Sequence, residues 1–346
     1  MAIDAPLRAN VSSLHHYIKQ LRSCLALPGV TEVCMQRPGE LFLEDGGGWR
    51  CVPAPWATSA WAKHFSRLLA TFSDQRVNDE TPLLSATLPD GERVQLVLPP
   101  ATLKGHVVMA VRRPNQQVWS VGQLAECQFF TTQPGWLPER SDQDGNLHSA
   151  FAAKDWARFL SLAVKAKLNI VVAGATGSGK TTLTKALIQE IAVDERLISI
   201  EDAAELDFSR HQNSVRLFYS KDGQGRARVT PKQLLEACLR LRPDRILLAE
   251  LRGEEAYYFL RNVSSGHPGS ITSVHAGSPA LAFEQLALLV KESAPGRELA
   301  LADILRLLHS IVDVVVHCVR RGTHRGISDV YWVGAESGAL AYRVCG

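Results

Sequence analysis

Residues 174–182 of the chain read Gly-Ala-Thr-Gly-Ser-Gly-Lys-Thr-Thr, directly after the apolar run Asn-Ile-Val-Val-Ala at 169–173. The glycines allow successive backbone N–H groups to point at one centre, and the helix that follows adds the partial positive charge of its N-terminus. Leu183, Leu187 and Ile191 recur at helical spacing behind the loop, so strand, loop and helix follow in the order that a phosphate loop requires. This pattern predicts a site for the polyphosphate of ATP or GTP.

The residue types within the loop have distinct expected roles. Lys180 is expected to reach the β- and γ-phosphates, and Thr181 to hold Mg²⁺. The alternative is a glycine-rich turn with an unrelated lysine, which the flanking strand and helix make the weaker interpretation. The residues predicted to bind the nucleotide are Gly174, Ala175, Thr176, Gly177, Ser178, Gly179, Lys180, Thr181 and Thr182.

Composition places the chain among ordinary globular proteins. Its 346 residues, 46% hydrophobic and 21% charged, suffice for two domains, and a net charge of +3 does not mark a nucleic-acid binder. No apolar run reaches the roughly 18 residues of a membrane span, and no secretory signal is recognisable at the N-terminus. The seven cysteines include no C-x-x-C pair and fit reduced thiols. We therefore expect a soluble, cytoplasmic protein.

The chain divides into two predicted domains. Residues 1–130 combine a helix at 11–27, short strand-like runs separated by Gly and Pro turns, and an aromatic-rich helix, which predicts an α+β domain. Residues 131–150 are rich in Pro, Gly and Asp, which is typical of a linker. Over residues 151–346, strand-like and helix-like runs alternate, which predicts a mostly parallel sheet with helices on both faces.

Two further apolar strands end in acidic residues. Glu201, Asp202 and Glu205 follow the first strand, and Glu250 ends the second, with Arg252 two residues later. The C-terminal ends of parallel strands gather at the ligand-binding edge of a sheet. These acids are therefore candidates to orient an attacking water and to support Mg²⁺, Glu250 through a water, while Arg252 faces phosphate charge. Taken singly, each acid could equally cap the next element.

Two histidines flank a short strand that is rich in Ser, Thr and Gly. A single histidine is more often structural than functional. His275, however, follows the C-terminal end of this strand, at the predicted edge of Lys180 and Glu250. We predict that His275 lies near the γ-phosphate, with His267 as a weaker candidate.

These segments, in this order, resemble the secretion ATPase superfamily. The superfamily carries a phosphate loop, an acidic Asp box, a glutamate-ended Walker B strand and a His box. The matching segments here are residues 174–182, 200–206, 242–253 and 266–276. The compact length and the run Gly-Val-Thr-Glu-Val-Cys-Met-Gln-Arg-Pro-Gly-Glu-Leu at 29–41 resemble the traffic ATPases of type IV secretion systems in particular.

The resemblance implies a RecA-like fold for residues 151–346 and a homohexameric ring that hydrolyses ATP with Mg²⁺. Such a ring powers substrate translocation or pilus biogenesis in conjugation or effector export. The implied partners are other type IV secretion ATPases, inner-membrane channel components and a coupling protein. The implied location is the cytoplasm, with peripheral attachment to the bacterial inner membrane.

The resemblance also implies roles for single residues. Glu205 is implied to position the attacking water, and Glu250 to act as the Walker B acid. In this family an arginine from the N-terminal domain reaches the nucleotide, and Arg112 stands at the matching strand end, with Arg113 and Arg140 as weaker candidates. The implied catalytic set is therefore Lys180, Glu205, Glu250, His275 and Arg112.

Three alternatives stay open at this point. A pilus assembly or retraction motor shares all four segments, and a nucleotide-gated scaffold would bind ATP without hydrolysing it. A nucleic-acid motor uses a related core, but the nearest basic and aromatic stretch, at 216–228, is more simply a solvated hairpin. We therefore do not expect direct DNA binding.

Overall fold

The computed structural model describes residues 5–114, 120–127, 129–130, 146–220, 225–264 and 266–336. Most of the predicted linker at 131–150, including Arg140, lies outside the described residues. Among the described helices, none combines the length and the apolar character needed to cross a membrane.

The N-terminal part of the chain is a six-stranded antiparallel sheet with two helices, in the strand order β3-β2-β1-β6-β5-β4. Helix α1 begins at Ala5 rather than at the predicted residue 11, because the Ala, Leu and Arg residues that precede the apolar stripe also favour helix. The α+β class predicted for this part is confirmed. The elements are α1 (Ala5–Leu25), β1 (Glu32–Met35), β2 (Gly39–Glu44), β3 (Trp49–Ala54), α2 (Ser59–Phe72), β4 (Leu83–Thr87), β5 (Arg93–Val97) and β6 (Val108–Arg112).

Both faces of this antiparallel sheet are buried. Successive side chains of a strand point to opposite faces, so Val33 and Met35 of β1 pack in one core with α1 and α2. Cys34, between them, belongs to a second core that continues into the C-terminal part of the chain. The N-terminal sheet is therefore a layer between its own helices and the second sheet.

The C-terminal part contains seven described strands and a set of surrounding helices. Helix α4 begins inside the last residues of the predicted linker and buries Leu147 and Ala150. Helix α3 (Val121–Glu126) lies between the N-terminal sheet and the C-terminal part. The elements of the C-terminal part are α4 (Asn146–Ala152), α5 (Trp156–Lys165), β7 (Ile170–Gly174), α6 (Lys180–Gln189), β8 (Leu197–Glu201), β9 (Ser214–Phe218), α7 (Pro231–Cys238), β10 (Arg245–Leu248), α8 (Glu255–Ser264), β11 (Ile271–Val274), α9 (Pro279–Glu292), α10 (Ala294–Arg297), α11 (Leu301–Ile311), β12 (Val314–Arg321) and β13 (His324–Trp332).

These strands form one mostly parallel layer. Strands β10, β8 and β9 pair in parallel, as do β11, β7 and β12, while β13 runs antiparallel to β12. The two groups meet at β10 and β11, where the Ser270 hydroxyl donates to the Ile246 carbonyl at 2.8 Å and Ser273 to Ala249 at 2.9 Å. Both faces of this layer are buried. Ile170 and Val172 of β7 belong to one core, and Val171 and Ala173 belong to another. The predicted α/β, RecA-like class is confirmed.

The predicted hairpin at 216–228 is wrong. Strand β9 pairs in parallel with β8 and is the outer strand of its group, so it is not one arm of a hairpin. Its alternating polar and apolar residues reflect a half-buried strand. Arg216 is bonded to a buried carboxylate, and Arg226 and Arg228 lie 2.9 and 3.8 Å from Asp79 and Glu80. Arg216 is therefore engaged within the protein, whereas Arg226 and Arg228 pair with acids at the exposed surface and are solvated, as predicted for this stretch.

Candidate active site

The phosphate loop has the strand, loop and helix geometry that the sequence predicts. Gly177 and Gly179 have φ values of 73° and 102°, which glycine adopts without steric cost. A Cβ on Gly174 would lie 2.5 Å from both the Cys318 carbonyl oxygen and the Ser178 hydroxyl, so this position admits only glycine. No described side chain caps α6, which leaves the N–H groups of its first turn available to an anion.

Lys180 is largely buried beneath the loop. Its Nζ donates to the carbonyls of Gly174 and Ala175, at 2.8 and 3.2 Å, and lies 3.2 Å from Nδ1 of His275. An ammonium has three N–H donors, and these contacts occupy all of them. Burial lowers the pKa of Lys180, while the nearby Glu250 carboxylate opposes that shift. A phosphate in the loop would replace carbonyl partners with charged ones.

His275 connects Lys180 to Glu250. It follows β11, and its Nε2 lies 2.7 Å from Oε1 of Glu250, which follows β10. Because Lys180 can only donate, Nδ1 of His275 accepts, and Nε2 carries the ring hydrogen. The structure therefore brings the predicted Lys180, His275 and Glu250 into one chain of contacts.

Arg252 lies on the other side of Glu250. Its Nε donates to Oε2 of Glu250 at 2.6 Å, and its Nη1 lies 3.3 Å from Oδ2 of Asp202. Hydrogen bonding to Glu250 raises the pKa of Arg252. Arg252 thus joins the predicted acids that follow β8 and β10.

Glu205 and Glu201 have different surroundings. Oε2 of Glu205 accepts from the Thr181 hydroxyl at 3.5 Å, next to the loop. Glu201 is fully buried, and its Oε2 accepts the backbone N–H groups of Glu205 and Leu206, both at 2.9 Å. Arg216 donates to both oxygens of Glu201, from Nε at 2.9 Å and from Nη2 at 2.7 Å. Glu201 therefore holds the backbone of Glu205 in place, whereas Glu205 faces the loop.

The remaining predicted residues lie elsewhere. His267 precedes β11 and is therefore at the opposite sheet edge, where burial and the nearby Arg242 lower its pKa. Arg112 is exposed at the end of β6, opposite Glu32 of β1. Arg113 Nη1 donates to the Leu25 carbonyl at 3.4 Å. Within the described part of one chain, no contact joins Arg112, Arg113 or His267 to the phosphate loop.

Two arginines at the loop were missed from the sequence. Arg320 and Arg325 lie on the β12–β13 hairpin, and Nε of Arg325 donates to the Gly177 carbonyl at 3.0 Å. The available signal was a basic turn, Arg-Arg-Gly-Thr-His-Arg at 320–325, directly after a long apolar strand. That signal does not identify the neighbouring strand, which lies far upstream in the sequence.

Comparison with known proteins gives concordant results. The family of type II/IV secretion system proteins matches residues 141–328. The type IV secretion system protein VirB11 of Bartonella quintana is 44% identical over 312 residues, which are 87% of either chain. The protein of the same name from Brucella suis is 44% identical over 326 residues, 93% of this chain and 90% of its own.

A solved structure shows the same likeness over nearly the whole chain. The crystal structure of the VirB11 ATPase from the Brucella suis type IV secretion system in complex with sulphate has a TM-score of 0.89 and 42% identity, covering 98% of this chain and 99% of that one. The family predicted from the four sequence segments is therefore confirmed. The chain belongs to the VirB11 ATPases of type IV secretion systems.

Proposed function

We propose that this VirB11-type ATPase binds ATP in the loop at 174–182 and hydrolyses it there to power type IV secretion. The observation that carries the proposal is the contact chain from Lys180 through His275 to Glu250 beneath the glycine loop. It places a cation, an imidazole and a carboxylate at one sheet edge. Phosphoryl transfer depends mostly on such positioning and charge stabilisation.

Each side chain has a proposed role. Lys180 exchanges its carbonyl partners for phosphate oxygens, which strengthens its bonds because both partners are then charged. Glu205, next to Thr181, orients the attacking water and is held in place by Glu201. His275 transmits the position of Lys180 to Glu250, so that occupancy of the loop affects the acid.

The residues present fit Mg²⁺. The Thr181 hydroxyl and the carboxylates of Glu205 and Glu250 are hard oxygen donors at one edge, which Mg²⁺ prefers. No group of three or more His, Cys, Asp or Glu side chains in the described residues forms a metal cage, which suits an ion held largely by the nucleotide phosphates. Bound Mg²⁺ would neutralise charge on the β- and γ-phosphates.

The assembly belongs to the same proposal. Residues 1–130 and 151–346 act as two domains joined by the linker, and six copies form a ring. Arg112 lies away from the loop of its own chain, so its proposed contact with the nucleotide requires domain movement or a neighbouring copy. The ring docks on inner-membrane channel components, other secretion ATPases and a coupling protein, as a cytoplasmic, peripherally attached protein.

Substitution of the loop lysine tests the proposed site. Lys180→Ala removes the charge that faces the phosphates, so we expect steady-state ATP hydrolysis to fall at least about a thousandfold. Lys185→Ala, in the same helix and without a described ion pair, is the matched control and should keep wild-type turnover. Circular dichroism of both variants checks folding. Persisting hydrolysis in folded Lys180→Ala protein would refute the site.

A further inference from the structure

The β12–β13 hairpin places two arginines against the phosphate loop. Nε of Arg325 donates to the Gly177 carbonyl at 3.0 Å, and its Cδ lies 3.3 Å from the point where a Cβ on Gly179 would stand. Nη1 of Arg320 lies 3.7 Å from the corresponding point on Gly177. Both side chains therefore lie close to the two glycines that shape the loop.

Sheet register explains this placement. Strand β12 runs parallel to β7, and Cys318 lies opposite Gly174, the last residue of β7. Arg320 follows two residues later and so leaves the sheet at the edge from which the loop starts. Arg325 is the direct partner of Arg320 across the hairpin, which brings both guanidinium groups to the same edge.

The charges of these arginines are not balanced within the described chain. Like charges directly opposite each other on paired strands are destabilising. Their described acceptors are neutral carbonyls, Gly322 for Arg320 at 2.9 Å and Gly177 for Arg325 at 3.0 Å. No carboxylate among the described residues forms an ion pair with either one. An anion in the loop would compensate both charges.

We propose that Arg320 and Arg325 bind the phosphate chain of the nucleotide and set the affinity of the site for ATP and ADP. The inference rests on the proposed function in placing the nucleotide in this loop. A guanidinium has five N–H donors, and the described bonds leave several free for phosphate oxygens. Contacts that form equally in the ground state and the transition state strengthen binding without accelerating the chemical step, and we assign the two arginine contacts to this class.

Kinetics and direct binding test this role together. We expect Arg320→Ala and Arg325→Ala each to raise the KM for ATP and the calorimetric Kd for ADP about tenfold, the loss typical of one charge-assisted hydrogen bond. The kcat should change less than about twofold. Inorganic tripolyphosphate serves as a competitive inhibitor. Its affinity for each variant should fall by the same factor as the affinity for ATP. Arg325→Lys, which retains the charge, should recover part of the affinity.

The neighbouring arginine provides a matched control. Arg321 follows Arg320 on β12, and its side chain points to the opposite face of the strand. Arg321→Ala should keep wild-type KM and Kd. The melting temperature of nucleotide-free Arg320→Ala should stay unchanged or rise, since the like-charge pair is removed, whereas a purely structural role would lower it.

The results separate this inference from the proposed function. Unchanged KM and Kd in both alanine variants would overturn the inference. A fall in kcat with KM and Kd unchanged would also overturn it. A loss of ATP affinity without a loss of tripolyphosphate affinity would also overturn it, because the contact would then be to the nucleoside. Wild-type protein that binds ADP but does not hydrolyse ATP would contradict the proposed hydrolysis, and the ADP measurements would still decide the arginine contacts.

Discussion

At the scale of single residues, Glu201 at the end of β8 and Glu205 after it have different roles. Glu201 resembles a catalytic candidate in the sequence, yet it is fully buried and bonded to Arg216 and to the N–H groups of Glu205 and Leu206. Glu205 is the acid that faces Thr181. A buried carboxylate that fixes the backbone of an active residue is a positioning group, since it acts through its neighbour.

Glu201→Gln tests that positioning role. The amide removes the charge that holds Arg216 and weakens the bonds to the backbone of Glu205. A small displacement of a catalytic group costs up to about a hundredfold in rate, so kcat should fall about tenfold to a hundredfold while the KM for ATP changes little. Steady-state kinetics at saturating ATP measure this split.

A second ion pair between an arginine and a glutamate supplies the control. Glu195 accepts hydrogen bonds from Nε and Nη2 of the buried Arg245, at 2.8 and 2.7 Å. This pair lies at the sheet edge away from the loop. Glu195→Gln should lower the melting temperature much as Glu201→Gln does, because each leaves an arginine without its carboxylate partner. It should leave kcat intact. Equal losses of kcat in both variants would assign the effect to stability and refute the positioning role.

At the scale of elements, the contact between β7 and β12 depends on one glycine. A Cβ on Gly174 would lie 2.5 Å from the Cys318 carbonyl oxygen, at the end of the parallel pairing from which the loop starts. Gly174→Ala should therefore force the strands apart, destabilise the fold by about 1–3 kcal/mol or more, and abolish ADP binding. Gly277→Ala is the control, since its Cβ would make an ordinary 3.6 Å contact with Leu281. A melting temperature of Gly174→Ala equal to that of the control would contradict this account.

The contacts between elements explain which parts of the fold and the site could be predicted from the sequence. The phosphate loop was predictable because its strand, turn and helix are contiguous, and the acids and His275 because parallel strands end at one edge. Arg320 and Arg325 were not, because the pairing of β12 with β7 joins segments far apart in sequence. The wrong prediction of a hairpin at β9 has the same cause, since the parallel partner of β9, β8, cannot be identified from local alternation.

At the scale of the whole molecule, the N-terminal sheet is attached to the C-terminal part through buried polar contacts. The guanidinium of the fully buried Arg196 lies 5.2 Å from the centre of the Trp49 ring and donates to Asn213 at 2.6 Å. Asn213 in turn is bonded to Gln36 of the N-terminal part. Directional bonds of this kind fix the relative position of the two parts more closely than apolar packing does, so the contact is a site where domain movement would require rearrangement.

Glu32 makes this contact sensitive to pH. Burial raises its pKa from 4.5 to about 7, and the charges of Arg196, Arg112 and Arg242 oppose that rise while Glu44 adds to it. The folded protein then binds a proton that the unfolded chain releases between about pH 4.5 and 7. By linkage, the free energy of unfolding falls as pH rises through that window, by about 3 kcal/mol in total, and the loss is complete above it.

Glu32→Gln removes the titrating proton and should remove this pH dependence. The variant should match wild type near pH 5 and melt at a higher temperature near pH 8, where wild type has an ionised, buried carboxylate. Thermal melts of both proteins at several pH values give the difference in melting temperature, which cancels the contribution of histidines. Glu236→Gln, at an exposed position of α7, should show no such difference. A lower melting temperature for Glu32→Gln at pH 8 would mean that the ionised Glu32 stabilises the contact through the neighbouring arginines, opposite to the expected sign.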